Sequence, residues 1–249
     1  MREVSQARLE GRNPVLEALR AGRDLDKILI AKGAREGSVV KIRAMARENG
    51  IVVQEVDRKK LDQLSETGAH QGVIAYAAAA GYVTVDEILA SARQKGEQPF
   101  IVIADEVEDP HNLGALLRTA NAAGAHGVII PKRRSAGLGA VTAKTSAGAV
   151  EFTPVAKVAN LVRVIETLKK ENIWVIGADM DGAKTLYEQD FRGAVAIVVG
   201  SEGRGISRLV KEACDFLVRI PMAGELTSLN ASVAGALLMY EVVRSRQGI

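Results

Sequence analysis

Three stretches of this chain combine hydrogen-bonding side chains with small residues that clear space beside them. The first, Asp105-Glu-Val-Glu-Asp-Pro-His-Asn-Leu-Gly-Ala-Leu-Leu-Arg-Thr-Ala120, sets Asn112 six positions before Arg118. The second, Val195-Ala-Ile-Val-Val-Gly-Ser-Glu-Gly-Arg-Gly205, spaces its glycines as G-x-x-G-x-G. That spacing matches neither the dinucleotide fingerprint nor the P-loop, which needs Gly-Lys-Ser/Thr. The third runs from Ile220 to Gly235, with Pro221 and Gly224 breaking a preceding strand and Ser228 available as the N-cap of an apolar helix. Each stretch leaves an apolar run and enters a helical one. Such loops carry free backbone N–H and C=O groups to a sheet edge, where α/β folds bind ligands. Ala223, Gly224, Ala231 and Ser232 leave room for one.

Each residue also has a plain structural use. Asn112 suits an N-cap, and Ser228 and Asn230 suit the same task. Arg118, among Leu116, Leu117, Ala120 and Ala122, suits a snorkelling position on an amphipathic helix. The elements that must position these loops are short, continuously apolar runs: Ile101–Ala104, Gly127–Ile130, Ile173–Gly177, Val195–Val199 and Phe216–Ile220. Unbroken apolarity predicts strands covered on both faces, hence a mainly parallel sheet in an α/β fold. Helices are expected at Leu113–Ala123, Val158–Glu171, Ile206–Ala213 and Ala231–Arg246. The last is apolar around most of its circumference, as a helix covered on both sides would be, within the domain or at a subunit interface.

Upstream lies a smaller α/β pattern. A helix from Asn13 to Leu19, a strand Lys27–Ala31, a helix Val39–Glu48, a strand Ile51–Val56, a helical turn Leu61–Leu64 and a strand Val73–Ala77 give it a core of its own. Residues 78–98, with one short helix from Val85 to Arg93, read as the connection. The domains are thus expected at 1–77 and 99–249. The 249 residues have ample core for this, and their 47% hydrophobic content is that of an ordinary globular protein. No run approaches the length of a membrane span, and Met1 to Gln6 lacks the apolar stretch of a signal peptide. A lone Cys214 excludes an internal disulfide and a cysteine metal cluster and suits a reducing cytoplasm. His70, His111 and His126 are too scattered for a zinc site, so no metal is expected. Residues 1–77 carry 14 Lys/Arg against 11 Asp/Glu, which is the whole +3 excess of the chain. That charge suits a module facing RNA.

In combination and in order, Asn112-x5-Arg118, Gly200-Ser-Glu-Gly-Arg-Gly205 and Ile220-Pro-Met with Ser228-Leu-Asn230 resemble the three motifs of the SpoU (TrmH-like) RNA ribose 2′-O-methyltransferases of the SPOUT superfamily. Gly11-Arg-Asn-Pro-Val15 and His70-Gln-Gly-Val73 look like the start and end of the substrate-binding domain, related to the ribosomal-protein L30e fold, that precedes the catalytic domain in some members. Asp109-Pro-His-Asn-Leu-Gly-Ala115 and Val128-Ile-Ile-Pro-Lys-Arg-Arg-Ser-Ala136 are similar to the bacterial 23S rRNA guanosine-2′-O-methyltransferases within that family. The resemblance covers essentially the whole chain.

It implies a SPOUT-type catalytic domain with a deep trefoil knot, which sequence rules alone would not suggest. It implies S-adenosylmethionine as cofactor, with Gly200, Ile220 and Leu229 as contacts, and Asn112, Arg118, Glu202, Ser228 and Asn230 as catalytic positions. It also implies a homodimer with its site at the interface. RNA is the expected partner, 23S rRNA first and tRNA second. Arg8, Arg12, Arg58, Lys59, Lys60, Lys132, Arg133 and Arg134 are the candidate phosphate contacts. A catalytically silent RNA-binding or ribosome-assembly factor on the same scaffold is the rival from another class, against which the intact motif residues weigh. A dinucleotide oxidoreductase lacks its fingerprint glycines here, and a Gly-rich methyltransferase would carry its loop after the first strand of the domain.

Overall fold

The computed structural model describes residues 8–35, 37–225 and 227–248, so the Met1–Gln6 reading lies outside the described residues. The chain divides into two compact units, one reaching Gly81 and including Gly137–Ala140, the other formed by Tyr82–Ala136 and the chain from Val141 onward.

The first unit comprises β1 (Arg8–Glu10), α1 (Arg12–Arg20), β2 (Leu25–Ala31), α2 (Ser38–Glu48), β3 (Val52–Val56), α3 (Arg58–Leu64) and β4 (Val73–Ala77). The sheet order is β1-β4-β2-β3, with β4 antiparallel to β1 and β2 and β3 parallel to β2. One core forms where Val15, Leu16 and Leu19 of α1 and Val39, Ile42 and Ala46 of α2 meet Ile28, Ile30, Val73 and Ala75. A smaller one lies on the other face, where Leu61 of α3 packs on Leu29, Ile74 and Tyr76. The sequence pattern missed β1, whose three residues are too few to show alternation.

Arg8 and Arg12 are engaged with their own chain. Arg8 Nη1 donates to the Leu64 carbonyl at 2.6 Å and pairs with Glu66 at 3.2 Å, and Arg12 Nε donates to the Gln71 carbonyl at 3.1 Å. Glu10 fastens the same connection. Its carboxylate accepts from the Ser65 hydroxyl at 2.6 Å, the Glu66 amide at 2.7 Å, and the Thr67 amide at 3.1 Å and hydroxyl.

The second unit comprises α4 (Val85–Lys95), β5 (Phe100–Ala104), α5 (Pro110–Ala122), β6 (Gly127–Pro131), α6 (Ala140–Thr145), β7 (Val155–Val158), α7 (Leu161–Lys170), β8 (Trp174–Ala178), β9 (Lys184–Thr185), β10 (Val195–Val199), α8 (Arg208–Ala213), β11 (Phe216–Arg219) and α9 (Ala231–Gln247). Its seven strands are ordered β7-β6-β5-β10-β8-β11-β9, every neighbouring pair parallel. All residues of β5 and β10 are buried, as their unbroken apolarity requires.

Two differences from the sequence reading have local causes. Val158 ends an edge strand rather than starting a helix, because Asn160 caps α7 by accepting from the Arg163 amide at 3.1 Å. The helix expected within the connection is α4, whose Ile88 and Leu89 join the core of Ile101, Ile103 and Ile129. A capping box of Thr84 and Glu87 starts it. Gly127 lets it sit low on β6, since a Cβ there would meet Ile88 Cδ1 at 2.6 Å.

Strand order places the site. The chain moves outward from β5 to β6 to β7, and β10 later returns to the other side of β5, in register from Val195↔Phe100 to Val199↔Ala104. The loops after Ala104 and Val199 therefore leave the sheet side by side at a topological switch point. Asp105 ties them together. Its amide donates to the Val199 carbonyl at 2.8 Å, and its buried carboxylate accepts from the Ser207 amide at 2.7 Å.

For Glu10, burial pushes the pKa up, but the hydrogen bonds from Ser65, Thr67 and Glu66 outweigh it and hold the group at about 2. An unfolded glutamate takes up its proton near pH ~4.3. The stabilisation is thus complete above that pH and is lost as pH falls toward 2. Acid titration of folding stability should show wild type losing ground to Glu10→Gln across this window, and parallel curves would contradict it.

Candidate functional site

The turn that follows β10 closes on itself. The Ser201 and Gly205 backbones exchange two hydrogen bonds, each of 3.0 Å. A Cβ on Gly200 would stand 2.0 Å from the Gly205 carbonyl carbon, so only glycine permits this closure. Glu202, at the exposed tip, turns its carboxylate toward two amides. It accepts from Asn112 Nδ2 at 2.9 Å and from Asn230 Nδ2, which also donates to Asn112 Oδ1 at 2.9 Å.

Three elements distant in sequence bring these groups together; the cap of α5 differs from the expected Asn112, and that of α9 is one of the two expected candidates. α5 is capped by Asp109, whose Oδ1 accepts from the His111 amide at 2.9 Å, with Pro110 at the first helical position. Asn112 is therefore in the first turn and buried, its side chain free to meet Glu202. Asn230, not Ser228, caps α9. Its Oδ1 accepts from the amides of Ser232 at 2.9 Å and Val233 at 3.3 Å, and from the Ser232 hydroxyl at 2.6 Å. Because the amide oxygen must face those donors, the amide nitrogen faces Glu202 and Asn112.

Two cavities adjoin this cluster. The larger, of about 590 Å³, is lined by Gly200, Ile220, Ser228 and Leu229 together with Asp179, Asp181 and Lys211. The smaller, of about 250 Å³, is lined by Glu106, Glu108, Asp109, Asn112 and Glu202. Ser201, Arg204 and Ala231 border both. The Ser201 Oγ is buried without a hydrogen-bond partner among the described residues. At the rim of the larger cavity Lys211 Nζ reaches Asp179 at 2.7 Å and Asp181 at 2.6 Å. Those hydrogen bonds raise the pKa of the ammonium and lower that of Asp181. Sequence reasoning missed Ser201, Asp179 and Lys211. Asp179 had a signal, since it follows β8 as Asp105 follows β5.

The remaining expected residues lie elsewhere. Arg118 is exposed and outside the cluster. At about 100° of helical rotation per residue, six residues from Asn112 bring it to a different face of α5. α9 packs against that helix with Gly235, where a Cβ would meet Leu116 Cδ2 at 2.4 Å. On its outer side α9 shows a stripe of Val233, Leu237 and Tyr240, 48%, 37% and 53% exposed. Lys132 and Arg133 follow β6, and Arg134 Nη1 donates to Glu106 of the smaller cavity at 2.9 Å. Arg58, Lys59 and Lys60 are exposed at the start of α3, in the first unit. His70 bonds Asp62 at 2.8 Å, and His126 accepts from the Phe100 amide at 3.0 Å.

This architecture belongs to a known class. Residues 99–240 match the SpoU rRNA methylase family, and residues 8–83 match the RNA 2′-O ribose methyltransferase substrate-binding family. YacO of Bacillus subtilis (strain 168), named for the TrmH family of tRNA/rRNA methyltransferases, is 50% identical over 239 residues, 96% of each chain. A solved RNA 2′-O ribose methyltransferase superposes with a TM-score of 0.56 at 29% identity, covering 96% of this chain and 88% of that one. AviRb of Streptomyces viridochromogenes, solved with AdoMet, shares the fold with a TM-score of 0.62 at 24% identity, over 97% and 91% of the two chains. The chain is a member of the SpoU methylase family.

The cap assigned to Asn230 has a measurable consequence. Asn230→Ala should cost about 1 kcal/mol of folding stability, whereas Asn230→Ser, which keeps an acceptor for the α9 amides, should cost only a few tenths. Equal losses in denaturant titration would show that the cap contributes nothing.

Proposed function

We propose that the protein methylates a ribose 2′-hydroxyl in structured RNA with S-adenosylmethionine as donor, a guanosine of 23S rRNA being the first candidate and tRNA the second. The observation that carries this reading is the Asn112–Glu202–Asn230 cluster at a border shared by two cavities. One cavity suits a nucleoside cofactor and the other a reacting nucleotide. Membership of the family along nearly the whole chain supports it.

The residues present fit S-adenosylmethionine. Gly200 keeps the turn after β10 free of side chain, Ile220 and Leu229 offer apolar walls, and the unpartnered Ser201 hydroxyl offers a polar contact. When bound, the cofactor supplies a methyl group already activated on a sulfonium, so transfer calls for orientation and proton removal. Gly200, Ile220 and Leu229 are the proposed cofactor contacts, with Ser228 at the cavity wall. We further infer that the chain around this cavity forms the trefoil knot of its superfamily and that the first unit has the L30e-like fold. In support of the knot, the segment at Gly182 passes so close to β11 that a Cβ would meet the Val218 carbonyl carbon at 2.5 Å.

Asn112 and Asn230 would hold Glu202 in one orientation at the nucleotide side. Arg118 acts in this reading from a second copy of the chain. It lies outside the cluster on a different face of α5, and α9, packed on that helix, bears the apolar stripe Val233–Leu237–Tyr240, which suits a homodimer interface. A guanidinium stays protonated, so Arg118 serves to position the 2′-oxygen or an adjoining phosphate and to stabilise the developing alkoxide. The proton leaves to a carboxylate, water or phosphate. The exposed Arg58, Lys59, Lys60 and Arg133 and the half-buried Lys132 are proposed cations for the RNA. A cytoplasmic location suits the single, half-buried Cys214.

The test is methyl transfer from tritiated S-adenosylmethionine to 23S rRNA, 16S rRNA and tRNA, with products digested to nucleosides. Label in a 2′-O-methylnucleoside supports the reading, and its base identifies the target. Label on a base, or in no RNA, would sink it. Gly200→Ala should abolish cofactor binding in calorimetry. Arg118→Ala and Glu202→Ala should each be inactive as pure dimers, while a one-to-one mixture recovers about a quarter of wild-type activity. Half of the mixed dimers are hybrids, each with one intact site. No recovery would place Arg118 in its own protomer's chemistry or outside the reaction.

A further inference from the structure

The charge of the first unit is polarised by its topology. β1 and β2 both run antiparallel to β4, and β3 runs parallel to β2, so β1, β2 and β3 all end at one edge of the sheet. The backbone shows this convergence directly. Gly11 N donates to the Val73 carbonyl at 3.0 Å, Ala31 N to Gly72 at 2.9 Å and Lys32 N to Val56 at 2.8 Å. Segments 10–12, 32–35 and 57–60, which leave the sheet there, carry six Lys/Arg against two Asp/Glu. At the opposite ends of the same strands, segments 20–26 and 47–51 carry three of each. The basic excess of the unit therefore sits on one edge.

Both acids of those segments are occupied. Glu10 accepts four hydrogen bonds from residues 65–67, and Asp57 pairs with Lys32 at 3.0 Å. Arg35, Arg58, Lys59 and Lys60 are exposed and pair with none of the described acids. The N-termini of α1 and α2 arrive at the same edge without a side-chain cap, adding to its positive potential.

We infer that this edge, with Arg35, Arg58, Lys59 and Lys60 as its contacts, grips the sugar–phosphate backbone of the RNA without reading its bases. The inference rests on the proposed RNA substrate and adds where and how the first unit holds it. Its only aromatic residue is Tyr76, which is buried under Lys27, so it has no platform on which unpaired bases could stack. What remains is attraction between cations and phosphates. Such binding tolerates sequence changes and falls steeply with salt. Arg8, bonded to Leu64 and Glu66, is a structural cation and takes no part.

The test compares two charge-matched triple variants of the full chain, Arg58→Glu/Lys59→Glu/Lys60→Glu at the edge and Arg20→Glu/Arg23→Glu/Arg47→Glu at the opposite end. RNA affinity is measured across a salt series, and S-adenosylmethionine binding and thermal unfolding confirm that each variant is folded. The edge variant should lose tenfold or more in RNA affinity near ~0.1 M salt, and its salt slope should fall by about two, for three lost phosphate contacts. The opposite-end variant should keep both. Equal losses in the two variants, or an unchanged slope in the first, would overturn the inference while leaving the methyltransferase reading intact. A wild-type protein that binds the cofactor but no RNA would overturn both.

Discussion

Asn230 has one amide and two obligations, and the site depends on its meeting both. The oxygen must satisfy the free N–H groups at the start of α9, which no other side chain among the described residues caps. That fixes the direction of the nitrogen, which then meets Glu202 and Asn112. An aspartate would cap the helix equally well but would set a second carboxylate against Glu202. A serine would cap it and reach neither partner. Asparagine combines, on one short side chain, an acceptor for the helix with a donor for the acid.

The cluster inherits its rigidity from the sheet. β10 lies between β5 and β8, so the Gly200–Gly205 turn is flanked by strands on both sides. Asp105 pins it to the end of β5, and the Ser201–Gly205 bridge leaves it little freedom. A closed turn of this kind carries Glu202 to a fixed point without help from its own side-chain packing, which is why an exposed glutamate can still be well oriented. The smaller cavity next to it is lined by Glu106, Glu108, Asp109 and Glu202 together with Arg204, and Arg134 pairs with Glu106, so the acids outnumber the bases there. Lys132 and Arg133 follow β6, and Arg58, Lys59 and Lys60 are exposed at the start of α3.

Most of the fold was legible because its strands are buried on both faces and so read as unbroken apolar runs. Where burial is partial the signal failed. β7 and β9 lie at the two edges of the larger sheet, and β1 has three residues, so none of them builds a recognisable pattern. The motif residues were legible as a set, but their local uses were not. Asn112 reads as a cap until Asp109-Pro110 is weighed as the stronger start, with its acceptor and its preset φ. Ser228 reads as a cap because sequence alone does not say how far the loop after β11 extends before the chain can turn into α9. Ser201 and Lys211 left no mark at all, since their position depends on which loops the topology brings together.

The spacing of Asn112 and Arg118 did carry information that a reading of residue types overlooks. Six residues in a helix cannot bring two side chains to the same side of one site. A chain that needs both groups at one reacting oxygen must therefore bend the helix or supply one of them from another molecule. α5 is an uninterrupted helix from Pro110 to Ala122, packed closely on α9 at Gly235. If Arg118 acts at the ribose, catalysis and assembly become a single requirement. The apolar stripe on α9 would then be the surface that completes the active site, and a substitution there would reduce turnover without touching any reacting group.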